Sequence, residues 1–370
     1  MKRLLSLCKA AEEGGQVLII VAGMLPVLLG MTGLAIDVAT YAGHRRSLQN
    51  AADSIALAAS HELPNQAAAQ AVAEEWAVKN DVDIDDMTLT ITTGAPAPKV
   101  HVRIDSSHRF AFMKVLGVDS RGIGASAAAV KVSYGGGAGI VPWSITDETR
   151  NSVVPGELVT MKYDATGVDT GNFGAIRIDG PGSKTYEESV RYGSTELACA
   201  DTTDGCTTED CPGDSCAETS PTCDGPECTP QTGDVIGPTR AAVDFRISHT
   251  SAECDTFEEV FGAPDAGGKY RLAEDCNPWL DGPGKCTSNT DICSRRVIII
   301  PVVDEFGSGA SDPGTITEFA LLFLEGYDGG KCQGNSCEIK GRFANAELTA
   351  NGLAGVYDPD AALIFTRLIE

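Results

Sequence analysis

The chain has 370 residues and a formal net charge of −24, with 28 Lys and Arg against 52 Asp and Glu. Nucleic acid is therefore a poor partner, because binding phosphate needs cations that displace its counterions. Hydrophobic residues make up 42 %, enough for a core, and the length suggests an anchor plus one or two folded units.

The first element is an uncharged run of twenty residues, Val17 to Ile36 (VLIIVAGMLPVLLGMTGLAI). At about 1.5 Å per residue it spans roughly 30 Å as a helix, one bilayer hydrocarbon core. Eleven of the twenty are Leu, Ile or Val, which outweighs Pro26 and three glycines. The run exceeds the roughly 7 to 15 apolar residues of a secretory signal, so a retained single-pass transmembrane helix is expected. Of the 13 cysteines, Cys8 precedes this run and the other 12 all follow residue 198. That split fits a reduced side holding the N-terminus and an oxidising side holding the rest. It predicts a cytoplasmic N-terminus and an extracytoplasmic bulk.

The helical pattern continues as a stalk to about residue 63. Gly23, Gly30, Asp37, His44, Ala51 and Ala58 recur every seven residues as a small or polar stripe, a candidate helix–helix interface together with Asp53. Leu48, Ala52, Ile55 and Ala59 form an apolar face opposite Gln49, Asn50, Asp53 and Ser54. That face packs either on the protein's own domain or on another subunit.

The stretch from Glu12 to Ser60 resembles the N-terminal segment of Flp (tight-adherence) pilus-assembly TadE/TadG-like proteins. The likeness lies in the Gly15-Gln16 start, the apolar span with a central Pro26, and Gly33-x-x-x-Asp37 at its end. It continues in the helix carrying Arg45, Leu48, Gln49, Ala51, Ala52, Asp53, Ala56, Leu57 and Ala58. The resemblance implies a membrane-anchored accessory or structural role in pilus assembly, with other pilin-like or secretion-platform subunits as partners. Pilin subunits cleaved by prepilin peptidase carry a Glu five residues after the cleaved Gly. Here Ile19 or Ile20 stands there, which implies that this chain is not polymerised as a major pilin.

Beyond Pro64, Gln66 to Asn80 reads as a helix capped by Asn65. MTLTITT (87–93) and KVHVRID (99–105) alternate as two strands, 108–117 reads as a short amphipathic helix, and 123–133 as a third strand. Residues 64–134 are thus expected to form a small α+β unit. Gly135 to Gly139 reads as a linker, since no P-loop context surrounds it. Residues 140–370 are expected to form a β-rich antiparallel domain with long loops. Arg295 to Val303 should be its central, doubly buried strand. The overall fold class is α+β.

The loop 197–234 holds Cys199, Cys206, Cys211, Cys216, Cys223 and Cys228 among polar residues and cannot form a core alone. Gaps of four to six residues and no His favour disulfides over zinc. Cys254, Cys276, Cys286, Cys293, Cys332 and Cys337 are expected to pair among themselves, with Cys332 and Cys337 as a local hairpin clip. None of His44, His61, His101, His108 and His249 sits at metal-ligand spacing, and no nucleophile elbow or Walker loop is present. No catalytic site, metal or cofactor is expected. Two functional classes remain: a structural protein of pilus assembly or a related surface apparatus, and a membrane-tethered, adhesin-like binding module on the same anchor.

Overall fold

The computed structural model describes residues 2–94, 96–164, 174–200, 235–265, 267–279, 293–304, 315–333, 336–348 and 352–369, with the backbone alone over 2–16, 162–164, 274, 328–331, 333 and 336–337. The chain divides into two compact units. One takes in Met1–Thr93, Lys99–Ala129 and Leu368–Glu370, the other Gly94–Pro98 and Val130–Arg367.

In the first unit, α1 (Lys2–Ser60) runs unbroken past Pro26. It is followed by α2 (Gln66–Lys79), β1 (Met87–Thr92), β2 (Lys99–Arg109) and the first half of β3 (Ser120–Gly137). Asn65 caps α2 by accepting from the Ala68 N–H, meeting one of the helix's unsatisfied donors. β1 and β2 pair antiparallel from Met87 opposite Ile104 to Thr92 opposite Lys99, and β3 lies on the other side of β2. Alternation puts Val100, Val102 and Ile104 of β2 on one face, with Ile123, Ala125, Ala127 and Ala129 of β3. The stalk end of α1 presents Leu48, Ala52, Ile55 and Ala59 to that face, and Ala69, Ala73 and Ala77 of α2 complete the core. Most of these side chains are alanine, so the backbones approach closely. Ile55, fully buried, contributes roughly 1.5 to 3 kcal/mol. Of the two roles open to the apolar stalk face, the structure shows packing on the chain's own domain.

The second unit has the other half of β3, β4 (Trp143–Thr146), α3 (Asp147–Ser152), β5 (Leu158–Asp164), β6 (Gly174–Ala175), α4 (Ser183–Tyr192) and β7 (Ala198–Cys199). It continues through α5 (Ile236–Ser248), α6 (Phe257–Phe261), β8 (Tyr270–Arg271), β9 (Val297–Val303), β10 (Ile316–Gln333) and β11 (Ser336–Ala344). It closes with β12 (Ala346–Leu348), β13 (Leu353–Ala354) and β14 (Leu363–Leu368). Among the described residues one sheet runs β5-β11-β10-β9-β4-β6. Every residue of β9 is buried, as its apolar composition predicts. Ile298, Ile300 and Val302 face α4 and α5, while Val297, Ile299 and Val303 face α6 and the strands β8, β12 and β14. A buried polar chain ties the helices to the sheet: Trp143 Nε1 donates to Tyr186 Oη at 2.8 Å, and Tyr186 Oη meets Thr239 Oγ1 at 2.9 Å. Arg246 donates to the carbonyls of Val190 and Arg295. Burial, with Arg295 nearby, pulls its guanidinium down to about 9.

Three sequence expectations need correcting. The sheets are mixed rather than antiparallel, since β4 runs parallel to β9 and β12 parallel to β14 and β8. Gly135–Gly137 are not a linker but the buried end of β3. A Cβ on Gly136, whose φ is +145°, would come within 2.2 Å of the Ala198 carbonyl oxygen. Glycine is needed there for backbone-to-backbone packing. Finally, 108–117 is not an amphipathic helix. β2 continues to Arg109, and only Met113–Leu116 turns, as a 3₁₀ helix ended by Gly117 at φ +83°.

Candidate functional site

Residues Val17 to Ile36 of α1 are exposed all round, apart from Gly33. The helix is long and apolar enough to cross a membrane. The apolar run ends where a segment from 64 to 79 residues further along the chain is fastened to α1.

The fastening centres on Asp37, which is 1 % exposed. Its Oδ1 accepts from the Ala111 N–H at 2.9 Å, and its Oδ2 from the Phe112 and Met113 N–H groups at 2.8 and 2.6 Å. Three charge-assisted bonds to consecutive backbone donors are the strong kind. They satisfy the start of the 3₁₀ turn while stabilising a charged carboxylate at the end of an apolar run. One helical turn below, Gly33 lies against Phe112: a Cβ there would fall 2.6 Å from Phe112 Cδ1. Gly33 and Asp37 share a helix face because they are four residues apart, and each meets a different part of the same loop.

Above Asp37 a ring cluster continues the attachment. Tyr41 packs edge-on to His108 at 5.7 Å between centroids and against Phe110 at 6.0 Å. His44 Nδ1 lies 3.3 Å from His108 Nδ1, and Thr40 Oγ1 lies 3.4 Å from His108 Nε2. The loop leaves its apolar tip outward. Phe112 is 46 % exposed, Val115 88 % and Leu116 69 %. Lys114 within it is exposed, as are Arg109 and Arg121 on the flanking strands and Arg45 and Arg46 on α1.

The stripe read from the sequence is thus divided. Gly23 and Gly30 are exposed, with nothing within 4 Å of a Cβ at either. Asp37, His44 and Ala51 meet the chain's own unit instead. Asp53 accepts from Gln49 Nε2, which also donates to the Ser126 carbonyl. Sequence reasoning missed Gly33 as a contact, and it missed the 110–113 backbone altogether. The one available signal was the Gly33-x-x-x-Asp37 spacing.

Cys254 and Cys276 form a disulfide, and Cys199, Cys293 and Cys332 are also disulfide-bonded. Cys332 lies opposite Cys337 in the β10–β11 register. Cys206, Cys211, Cys216, Cys223, Cys228 and Cys286 lie outside the described residues, as does most of the loop 197–234. Among the described residues no group of three or more His, Cys, Asp or Glu is placed to hold a metal ion.

Residues 15–73 match the Flp pilus-assembly TadE/G-like family. The TadE/G-like segment contains the exposed run, Gly33, Asp37 and the buried stalk face, and it ends within α2. The second unit lies wholly outside it. No curated protein and no solved structure matches the chain significantly.

Proposed function

We propose that this chain is a single-pass, membrane-anchored structural or accessory protein of Flp-type pilus assembly or a related surface apparatus. The observation that carries the proposal is the exposed, uncharged run Val17–Ile36 within a segment matching the TadE/G-like family. An exposed apolar surface of that length is stable in lipid and not in water.

Its action is positional rather than catalytic. Gly23 and Gly30 leave room for the backbone of a second single-span subunit to come close. The stalk carries α2 and the β1–β2 hairpin outside the membrane, and the β-rich unit lies on the same, extracytoplasmic side. The Cys254–Cys276 disulfide supports an oxidising, extracytoplasmic setting for that unit, with the N-terminus cytoplasmic.

The test is crosslinking in intact cells through Gly23→Cys or Gly30→Cys in a Cys8→Ser background, followed by mass spectrometry. Crosslinks to pilin-like or secretion-platform proteins are expected. Normal pilus assembly in a deletion strain, with adhesion alone lost, would overturn the assembly role in favour of a tethered binding module.

A further inference from the structure

We propose that the loop Phe112–Val118 is a second membrane contact, which sets its apolar tip into the leaflet from which α1 emerges. The proposal rests on reading Val17–Ile36 as the membrane span. The Phe112 ring lies against Gly33, three residues inside the end of that span. At about 1.5 Å per residue this is roughly 4.5 Å below its boundary. A bilayer that covers the span therefore reaches the loop.

The loop's composition and backbone suit that position. From Phe110 to Val118 (FAFMKVLGV) there is no acidic residue in a chain of net charge −24. Val115 and Leu116, the most exposed apolar side chains of the turn, are at its tip. Lys114 beside them and Arg109, which ends β2 just before the loop, are exposed, and such side chains reach the headgroup layer while their stems lie along apolar surface. Entry into the apolar boundary requires backbone donors to be satisfied internally. The Ala111, Phe112 and Met113 N–H groups are held by Asp37. The Val115, Gly117 and Val118 N–H groups donate to the carbonyls of Phe112, Lys114 and Met113. The contact would fix both the depth and the rotation of α1, because the loop is attached to one face of the helix.

The experiment uses the full chain, Cys8→Ser and otherwise oxidised, in vesicles of phosphatidylcholine and phosphatidylglycerol. Spin labels are placed singly through Val115→Cys, Leu116→Cys, Val27→Cys in the span and Val78→Cys on the exposed face of α2. Collision with oxygen reports lipid, and collision with a water-soluble nickel chelate reports solvent. The expected result is an oxygen-to-nickel ratio at Val115 and Leu116 several-fold above that at Val78, and below that at Val27. A water-like ratio at Val115 with a lipid-like ratio at Val27 overturns the loop contact and leaves the span intact. Low collision with both reagents at Val115 means a protein surface covers the tip and also overturns it. A water-like ratio at Val27 defeats the span reading and the loop contact with it.

Discussion

The ring of Phe112 occupies the space that a side chain at position 33 would need, so Gly33 and Phe112 are complementary partners across 79 residues of sequence. Gly33→Leu should force the ring out at a cost of about 1 to 3 kcal/mol. Phe112→Ala should relieve that strain. A double-mutant cycle on unfolding of the detergent-solubilised chain should show the two changes to be non-additive. Additive effects would mean that the ring does not rest on Gly33.

Asp37→Ala should free the loop without unfolding the second unit. Amide exchange at Ala111, Phe112 and Met113 should accelerate, because all three donors lose the carboxylate that accepts them. Exchange in β9 should not change. Unchanged protection at all three amides would show that the ring cluster around His108 holds the loop by itself.

Separating Cys254 from Cys276 should destabilise the second unit by about 3 kcal/mol, the chain-entropy value for a closed loop of 22 residues. The paired variant Cys254→Ser with Cys276→Ser should show the loss as a lowered unfolding midpoint. In intact cells neither cysteine should react with an alkylating reagent before reduction. Alkylation of both without reductant would contradict an oxidising location.

Glu318 gives a pH signature. Burial pushes its carboxyl above the ordinary value of 4.5, partly opposed by Arg150, which pairs with it at 2.9 Å. The stability that follows from the raised value is fully present below pH 4.5 and is lost as pH rises through the folded-state value. Glu318→Gln should remove that component. The variant should become relatively more stable on the alkaline side of the window, less whatever the Arg150 pair contributes. Parallel stability–pH curves for the two proteins would show that Glu318 does not titrate abnormally.

Local pattern made several elements legible. Asn65 announced the start of α2, the 48-52-55-59 spacing announced the buried stalk face, and the β-branched run of β9 announced a strand buried on both sides. What was not legible depended on contacts remote in sequence. Nothing near Asp37 says that its carboxylate will receive the 111–113 amides. Nothing near Gly136 says that the Ala198 backbone will pass close by. The helix expected at 108–117 failed because β2 extends to Arg109 and, beyond the buried Phe110, Phe112, Val115 and Leu116 belong to an exposed tip rather than a packed face.

Gly23, Gly30 and Asp37 follow one another at seven-residue intervals on an unbroken helix, so they share one side, with a drift of only about 20° per heptad. The fastened loop therefore overhangs the open glycine track like a lintel. A helix laid along Gly23 and Gly30 would meet the Phe112 ring at Gly33 and then the Ala111–Met113 backbone at Asp37, and there it would have to end, bend or turn aside. If a partner span does use the glycine track, as proposed above, the position of Asp37 limits how far along α1 it can stay in contact.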